Sequence, residues 1–168
     1  TCTAIASDGD GGTNTATATT IVTNNPPVMG PVMIDPTSGK VGDELTCTAT
    51  ATDPDGDTTT ITYEWSSGLV GSTYLITAED TPGDTITCTA TATDPTGAND
   101  SGTATATVEN TAPVMGTVSI SPDAPNNDDT LTCSASASDA DGETPSISYA
   151  WSTGESSESI TLTDATPP

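Results

Sequence analysis

The sequence is poor in the side chains that bind anions and carry acid–base chemistry. Its 168 residues include no histidine, and Lys40 is the single cation against 24 carboxylates, so the formal net charge is -23. Nucleic acid is excluded as a partner, because phosphate binding requires Lys and Arg side chains. An anionic membrane surface is excluded for the same reason. Metal cations or a high-salt medium suit such a surface better.

Aromatic residues and long apolar runs are also scarce. With two Trp, three Tyr and no Phe, the core must be built mainly from Ala, Val, Ile and Leu. No apolar run approaches the roughly 18 residues of a membrane span, and no Ser or Cys has a base that the sequence can place nearby. We therefore expect no enzymatic activity and no membrane insertion in this segment. An acidic chain rich in Thr and Gly is typical of disorder, but its regular alternation favours a folded β protein.

The sequence repeats itself with a period of 86 residues. A shift of that length places Cys2 on Cys88, Cys47 on Cys133, Tyr63 on Tyr149 and Trp65 on Trp151. Two similar shorter segments, LTCTATATDPDGD at 45–57 and ITCTATATDPTG at 86–97, lie inside one repeat. The period predicts a complete repeat at 26–109. We expect the C-terminal strands of a preceding repeat at 1–23 and the N-terminal strands of a following repeat at 111–168.

Short runs of alternating residues predict six strands in the complete repeat, lettered A, B, C, E, F and G. Their inward residues are Val32 and Ile34 (A), Leu45, Cys47, Ala49 and Ala51 (B), Ile61, Tyr63 and Trp65 (C), Tyr74 and Ile76 (E), Ile86, Cys88, Ala90 and Ala92 (F), and Ala104, Ala106 and Val108 (G). Turn sequences separate the strands, and no segment has a helical period. The pattern predicts an all-β sandwich.

Strands B and F each carry one inward cysteine. The inner faces of a sandwich lie about 10 Å apart, so Cys47 and Cys88 can bridge the interior with Trp65 packed beside them. We predict this disulfide. A zinc site and two free buried cysteines are the alternatives.

Two further cysteines lie in the flanking segments. Cys2 and Cys133 lack a partner strand there, and we predict that each forms a disulfide with a neighbouring repeat or subunit. The predicted aromatic core consists of Trp65, Trp151, Tyr63 and Tyr149.

Several motifs resemble those of a known class of domain. Cys47, Trp65 and Cys88 resemble the Cys–Trp–Cys signature of immunoglobulin domains, with a shorter cysteine spacing than in antibodies. The segments ATDPDGD, YEWSSG, TPGDTITCTATATDPTG and GTATATV resemble PKD-like and bacterial Ig-like repeats of large secreted proteins. The usual PKD Trp-Asp-Phe-Gly-Asp is reduced to Trp-Ser-Ser-Gly at 65–68. The resemblance implies tandem Ig-like β-sandwiches in an extracellular array used for reach, adhesion or fibre building.

The acidic turns predict a candidate calcium site, because Ca²⁺ takes six to eight oxygen ligands. The B–C and F–G loops and the incoming linker at 24–26 should meet at one end of the sandwich, similar to the arrangement in cadherin-like domains. The candidate ligands are Asp53, Asp55, Asp57, Asp94 and Asp100, with Asp139, Asp141 and Glu143 in the following repeat. Solvated turns are the alternative, since Asp-Pro-Asp-Gly favours a turn whatever it binds. Asn99 begins an N-glycosylation sequon.

The expected partners are adjacent copies of the same repeat, head to tail. They belong either to one long polypeptide or to a fibre of separate chains completed by exchanged strands. We predict a non-catalytic structural module of an extracellular filament, stalk or adhesin. The alternative is a carbohydrate- or partner-binding repeat, or an accessory repeat of a secreted hydrolase. The core positions of Tyr63, Trp65 and Tyr74 favour the structural role.

Overall fold

The chain is all-β. A computed structural model describes residues 1–163, which form twelve strands and no helix. The last part of the predicted segment at 111–168, residues 164–168, lies outside the described residues. Nothing in the described range is a helix long and apolar enough to cross a membrane.

Seven strands form what we call the central unit. They are β3 (Val28–Asp35), β4 (Ser38–Gly39), β5 (Glu44–Thr52), β6 (Thr60–Trp65), β7 (Thr73–Leu75), β8 (Thr85–Thr93) and β9 (Asn99–Val108). One sheet has the order β3-β5-β7 and the other β4-β9-β8-β6. The six predicted strands are all present. No pattern in the sequence indicated β4, which pairs in parallel with the end of β9.

The core of the central unit lies between these two sheets, as in a β-sandwich. Leu45 and Cys47 on β5 are buried, and so are Ile86 and Cys88 on β8, because alternate side chains of each strand face the other sheet. Cys47 and Cys88 form the predicted disulfide, with a Cα–Cα distance of 6.5 Å. The bond joins the two layers directly.

Aromatic rings fill the space beside the disulfide. Trp65 is 2% exposed, and its ring centroid lies 5.3 Å from that of Tyr74. The indole Nε1 donates to the carbonyl of Gly71 at 2.9 Å, and the Tyr74 hydroxyl donates to Asp80 Oδ1 at 2.7 Å. Tyr63 packs against the same core and is partly buried. Both polar atoms of the buried rings therefore have partners, as buried polar atoms require.

Two smaller sheets flank the central unit. The N-terminal hairpin consists of β1 (Cys2–Ser7) and β2 (Thr13–Ala18). The C-terminal sheet consists of β10 (Val114–Ser121), β11 (Thr130–Ser138) and β12 (Ser159–Thr161), in that order. Cys2 and Cys133 are free thiols, one exposed and the other half-buried.

The segment at 146–151 forms no strand, although it lies 86 residues after β6. In the central unit β6 pairs with β8; no such neighbour contacts 146–151 within the described chain. Tyr149 and Trp151, predicted as core residues, are only half-buried for the same reason. Trp151 nevertheless keeps the local contact of Trp65, with Nε1 donating to Ser157 at 2.8 Å.

Candidate functional site at the linkers

The linker that enters the central unit is bound by its acidic loops. The backbone N–H of Asn25 donates to Asp55 Oδ2 at 2.6 Å, and the side-chain amide donates to Asp55 Oδ1 at 2.9 Å. Asn24 Nδ2 donates to Asp94 Oδ2 at 2.8 Å. Asp55 lies between β5 and β6, and Asp94 follows β8. The linker and both loops therefore meet at one end of the unit, as the sequence predicted.

Asp94 organises its own loop as well as the linker. Its Oδ1 accepts from the backbone N–H groups of Thr96 and Ala98 at 2.8 and 3.0 Å, an Asx-type turn that Gly97 completes at a φ of 90°. The other oxygen is left to accept from Asn24. A third carboxylate of this end, Asp100, accepts from the N–H of Met29 at 2.8 Å. Carboxylates here therefore act as acceptors for backbone and amide N–H groups.

These contacts shift the ionisation of two carboxylates. The backbone and side-chain N–H groups of Asn25 hold the pKa of Asp55 below its ordinary value of 3.8. The side-chain amide of Asn24, assisted by Thr96 and Ala98, lowers the pKa of Asp94 in the same way. A donor stabilises the charged carboxylate and so favours ionisation.

Acidification should release the linker from the loops. Because the pKa of Asp94 is lower when the linker is bound, this contribution is present above about pH 4 and is lost as the pH falls through the shifted value. Asn24→Ala should raise the pKa of Asp94 towards its ordinary value, which carboxyl ¹³C shifts will measure. The matched control is Asn110→Ala, since Asn110 Nδ2 donates to the Thr111 carbonyl. An unchanged Asp94 titration in Asn24→Ala would contradict this assignment.

The linker that leaves the central unit is bound at both of its ends. The N–H of Glu109 donates to the carbonyl of Gly39 at 2.7 Å, and the N–H of Thr111 donates to Asp141 Oδ2 at 2.6 Å. One residue therefore separates a contact to the central unit from a contact to the loop after β11. An added Cβ at Gly142 in that loop would lie 3.6 Å from the carbonyl oxygen of Ala78, in the turn before β8. The loop after β11 and the turn before β8 therefore lie close together.

The contact of the second linker with the loop after β11 lacks a side-chain hydrogen bond that the first linker makes with the loop after β5. Asp141 is 5% exposed, and its Oδ1 has no hydrogen-bond partner in the described chain. The hydroxyl oxygen of Thr111 is also buried without one. Asn25 and Asp55, 86 residues earlier, form this bond through the Asn25 amide. The shorter Thr side chain leaves a buried carboxylate oxygen unpaired, which costs free energy.

Exchanging the residue types of Asn25 and Thr111 should exchange the stabilities of the two linker–loop contacts. Thr111→Asn supplies the missing donor to Asp141 and should stabilise the second junction by about 1 kcal/mol. The exchange of the residue-111 backbone amide with deuterium should then slow about fivefold. Asn25→Thr should accelerate exchange at residue 25 and serves as the reciprocal control. Faster exchange at residue 111 in Thr111→Asn would contradict the pairing.

The predicted calcium ligands can be compared with the carboxylate contacts of the described residues. No group of three or more Asp, Glu, His or Cys side chains that could hold a metal ion occurs in residues 1–163. Asp53 Oδ1 accepts from the N–H groups of Asp55 and Asp57 at 2.8 and 3.4 Å, and its Oδ2 is buried without a partner. Asp139 Oδ1 accepts from Asp141 N at 2.9 Å. Glu143 is exposed. Calcium binding stays a prediction, which calorimetric titration will test.

The remaining surface prediction concerns Asn99. It is the exposed first residue of β9, and its Nδ2 lies 3.4 Å from the carbonyl of Gly97. Glycosylation of Asn99 stays a prediction.

Comparison with protein-family models, curated proteins and solved structures found no match to this chain. The assignment of function therefore depends on the linkers and the fold. Sequence reasoning located the linker at 24–26 but missed the direct amide–carboxylate pairing. Asn24 and Asp94 are 70 residues apart in the sequence, so no local pattern indicated that they pair.

Proposed function

We propose that this chain is a non-catalytic structural module, built from head-to-tail Ig-like repeats of an extracellular filament, stalk or adhesin. Each complete repeat is closed by one disulfide between its sheets. The loops at one end of each repeat bind the incoming linker and fix the direction in which the repeat continues. Calcium at these loops would further stiffen the junctions.

The observation that carries this proposal is the same contact at two places 86 residues apart. A linker N–H donates to a loop carboxylate at 2.6 Å in both, Asn25 to Asp55 and Thr111 to Asp141. A flexible tether would not need its backbone held by the next unit. Since Glu109 is also bonded to the preceding unit, the short linker is anchored on both sides. This is the arrangement that a load-bearing array requires.

Ligand recognition receives less support from the same residues. Binding surfaces are enriched in exposed aromatic side chains, whereas Trp65 and Tyr74 of the central unit are buried. The sequence has no histidine or arginine for acid–base or anion chemistry. An extracellular location is supported by the Cys47–Cys88 disulfide, because such bonds persist in oxidising compartments.

A distance measurement across the second junction tests the proposal. Spin labels on Cys introduced at Thr103 and Ser119, in a Cys2→Ser/Cys133→Ser background, report on the central unit and the C-terminal sheet. Both positions are exposed. We expect a narrow distribution of distances, broadened by Asp141→Ala, which removes the acceptor of the Thr111 N–H.

The matched control is Asp55→Ala, which removes the equivalent acceptor of the first junction and should leave the distribution unchanged. A distribution that is broad in the parent protein would contradict the proposal, because the two regions would then move independently.

A further inference from the structure

Several apolar side chains of the flanking sheets are exposed although their counterparts in the central unit are buried. Val22, after the N-terminal hairpin, is 91% exposed, whereas Val108, 86 residues later, is 2% exposed. Ile120 on β10 is 50% exposed, whereas Ile34 on β3 is 5% exposed. Met115 and Val118 of the C-terminal sheet are also exposed, whereas Met29 and Val32 of the central unit are partly buried. Two surfaces of core composition therefore face solvent on the described chain, one at each end.

The flanking strands already have the pairing of the matching strands in the central unit. In the N-terminal hairpin Cys2 pairs with Ala18, as Cys88 pairs with Ala104. In the C-terminal sheet Ile120 pairs with Cys133, as Ile34 pairs with Cys47. Every residue pair of the C-terminal sheet between β10 and β11 lies 86 positions after a pair of β3 and β5. The register irregularity after Met115 likewise matches the one after Met29. The C-terminal sheet therefore reproduces the layer β3-β5-β7, and the N-terminal hairpin reproduces β8 and β9 of the other layer.

We infer that the N-terminal hairpin of a second copy of this chain docks on the C-terminal sheet, with Cys2 of that copy bonded to Cys133. This inference rests on the proposed function, and it names the partner that covers the exposed face of the C-terminal sheet. The central unit is the template: β8 and β9 cover β3, β5 and β7, and the Cys47–Cys88 disulfide joins them. The side chains that would face each other between the sheets are apolar. At the linker, Asp8 of the second copy would approach Asp141 as Asp94 approaches Asp55 in the central unit, where the two carboxylates repel each other.

The docked hairpin would also supply the strand that residues 146–151 lack. In the central unit β6 pairs with β8 so that Trp65 lies opposite Cys88 and Tyr63 opposite Ala90. The corresponding pairs place Trp151 opposite Cys2, and Tyr149 opposite Ala4, of the second copy. An added strand satisfies the free backbone groups of this edge, and it buries the half-exposed Trp151.

Docking of the hairpin would also bring together the residues that match a polar contact at the first linker. Asn24 donates to Asp94 in the central unit, and the matching residues are Asn110 and Asp8 of the second copy. Asp8 already forms the same kind of turn as Asp94, because its Oδ1 accepts from the backbone N–H of Gly12 at 2.7 Å. In the docked state Asp8 Oδ2 would turn away from Gly12, where an added Cβ would lie 2.5 Å from it, and would accept from Asn110 as Asp94 Oδ2 accepts from Asn24.

The N-terminal hairpin differs from β8 and β9 at several positions, and Ala16 in place of Gly102 is one that lies at the contact between the sheets. An added Cβ at Gly102 of β9 would lie 2.9 Å from Val32 Cγ2 and 3.2 Å from Met29 Cγ. The matching residue of the N-terminal hairpin is Ala16, which would face Val118 and Met115. Both of these side chains are exposed and can move before docking. Removal of the methyl group by Ala16→Gly should therefore leave docking at least as tight.

Closing the bond requires an oxidant. The two thiols of Cys2 and Cys133 lose two protons and two electrons, which a small disulfide such as oxidised glutathione accepts by thiol–disulfide exchange. One thiolate first forms a mixed disulfide, and the second displaces glutathione as its thiol. The products are one protein disulfide and two molecules of reduced glutathione.

Incubation of the purified chain in a glutathione redox buffer tests the inference. Non-reducing electrophoresis should show a ladder in multiples of 16.6 kDa, and peptide mapping should find Cys2 linked to Cys133. Reduction, Cys2→Ser or Cys133→Ser should abolish the ladder. The matched control is Cys2→Ser/Thr3→Cys, which moves the thiol to the opposite face of β1 and should yield no ladder.

Four results would overturn the inference: a monomer with both thiols free, a Cys2–Cys133 bond within one chain, bonds between like cysteines, or an equal ladder from the displaced thiol. The proposed function fails separately, in the spin-label measurement, which uses a background without either cysteine. A rigid junction with no ladder would refute only the docking. A ladder with a flexible junction would refute only the load-bearing role.

Discussion

Replacing both Cys47 and Cys88 by Ala should lower the free energy of unfolding of the central unit by roughly 3–4 kcal/mol, the loop-closure value for cysteines 41 residues apart. Folded domains are stable by only about 5–15 kcal/mol, and this core has few large side chains. We therefore expect the variant to be close to unfolding at 37 °C. Denaturant titration followed by the fluorescence of Trp65 will measure the change.

The other two cysteines provide the control for this experiment. Cys2→Ser/Cys133→Ser removes the same number of sulfur atoms, but both thiols are free in the chain. The midpoint of the central-unit transition should not move in this variant. An unchanged midpoint after loss of Cys47 and Cys88 would show that the disulfide contributes nothing to the stability of the folded unit.

Trp65→Ala should destabilise the central unit by about 3–5 kcal/mol, the range for truncation of a large buried aromatic residue. Trp65 fills the space between the sheets beside Tyr74 and the disulfide. Its removal leaves a cavity that the rigid cross-link prevents from collapsing. Chemical denaturation followed by far-ultraviolet circular dichroism will measure the loss, since this variant lacks the fluorescent core residue.

Trp151→Ala is the matched control, because Trp151 occupies the same place in the 86-residue period and makes the same Nε1 contact. It is only half-buried, so its truncation in the Cys2→Ser/Cys133→Ser background should leave the central-unit transition unchanged. Equal destabilisation by the two variants would mean that burial between the sheets is not what makes Trp65 important.

The strands and the disulfide of the central unit were predictable because they depend on local alternation. In β5 and β8 every second residue is apolar or small, so the inward positions of Cys47 and Cys88 follow from the pleat of a strand. Short turns with Gly and Asp set the boundaries. These signals lie within ten residues of the positions that they determine.

Other features depend on contacts between distant segments. The strand β4 exists because Ser38 and Gly39 reach the end of β9, which no pattern around residue 38 indicates. The pairing of Asn25 with Asp55 joins residues 30 apart. Residues 146–151 have the alternation of a strand, but alternation alone does not form one without a neighbouring strand to pair with. Linker N–H donors to Asp55, Asp94 and Asp141 were not predicted for the same reason, because each of these contacts joins segments at least 30 residues apart.

Electron microscopy of the native assembly tests the central claim most directly. If linkers fixed at both ends hold successive disulfide-closed units, the images will show beaded filaments with one constant bead spacing. Separate globular particles, or beads at widely varying spacing, would contradict the claim that this chain is a structural module of an ordered array.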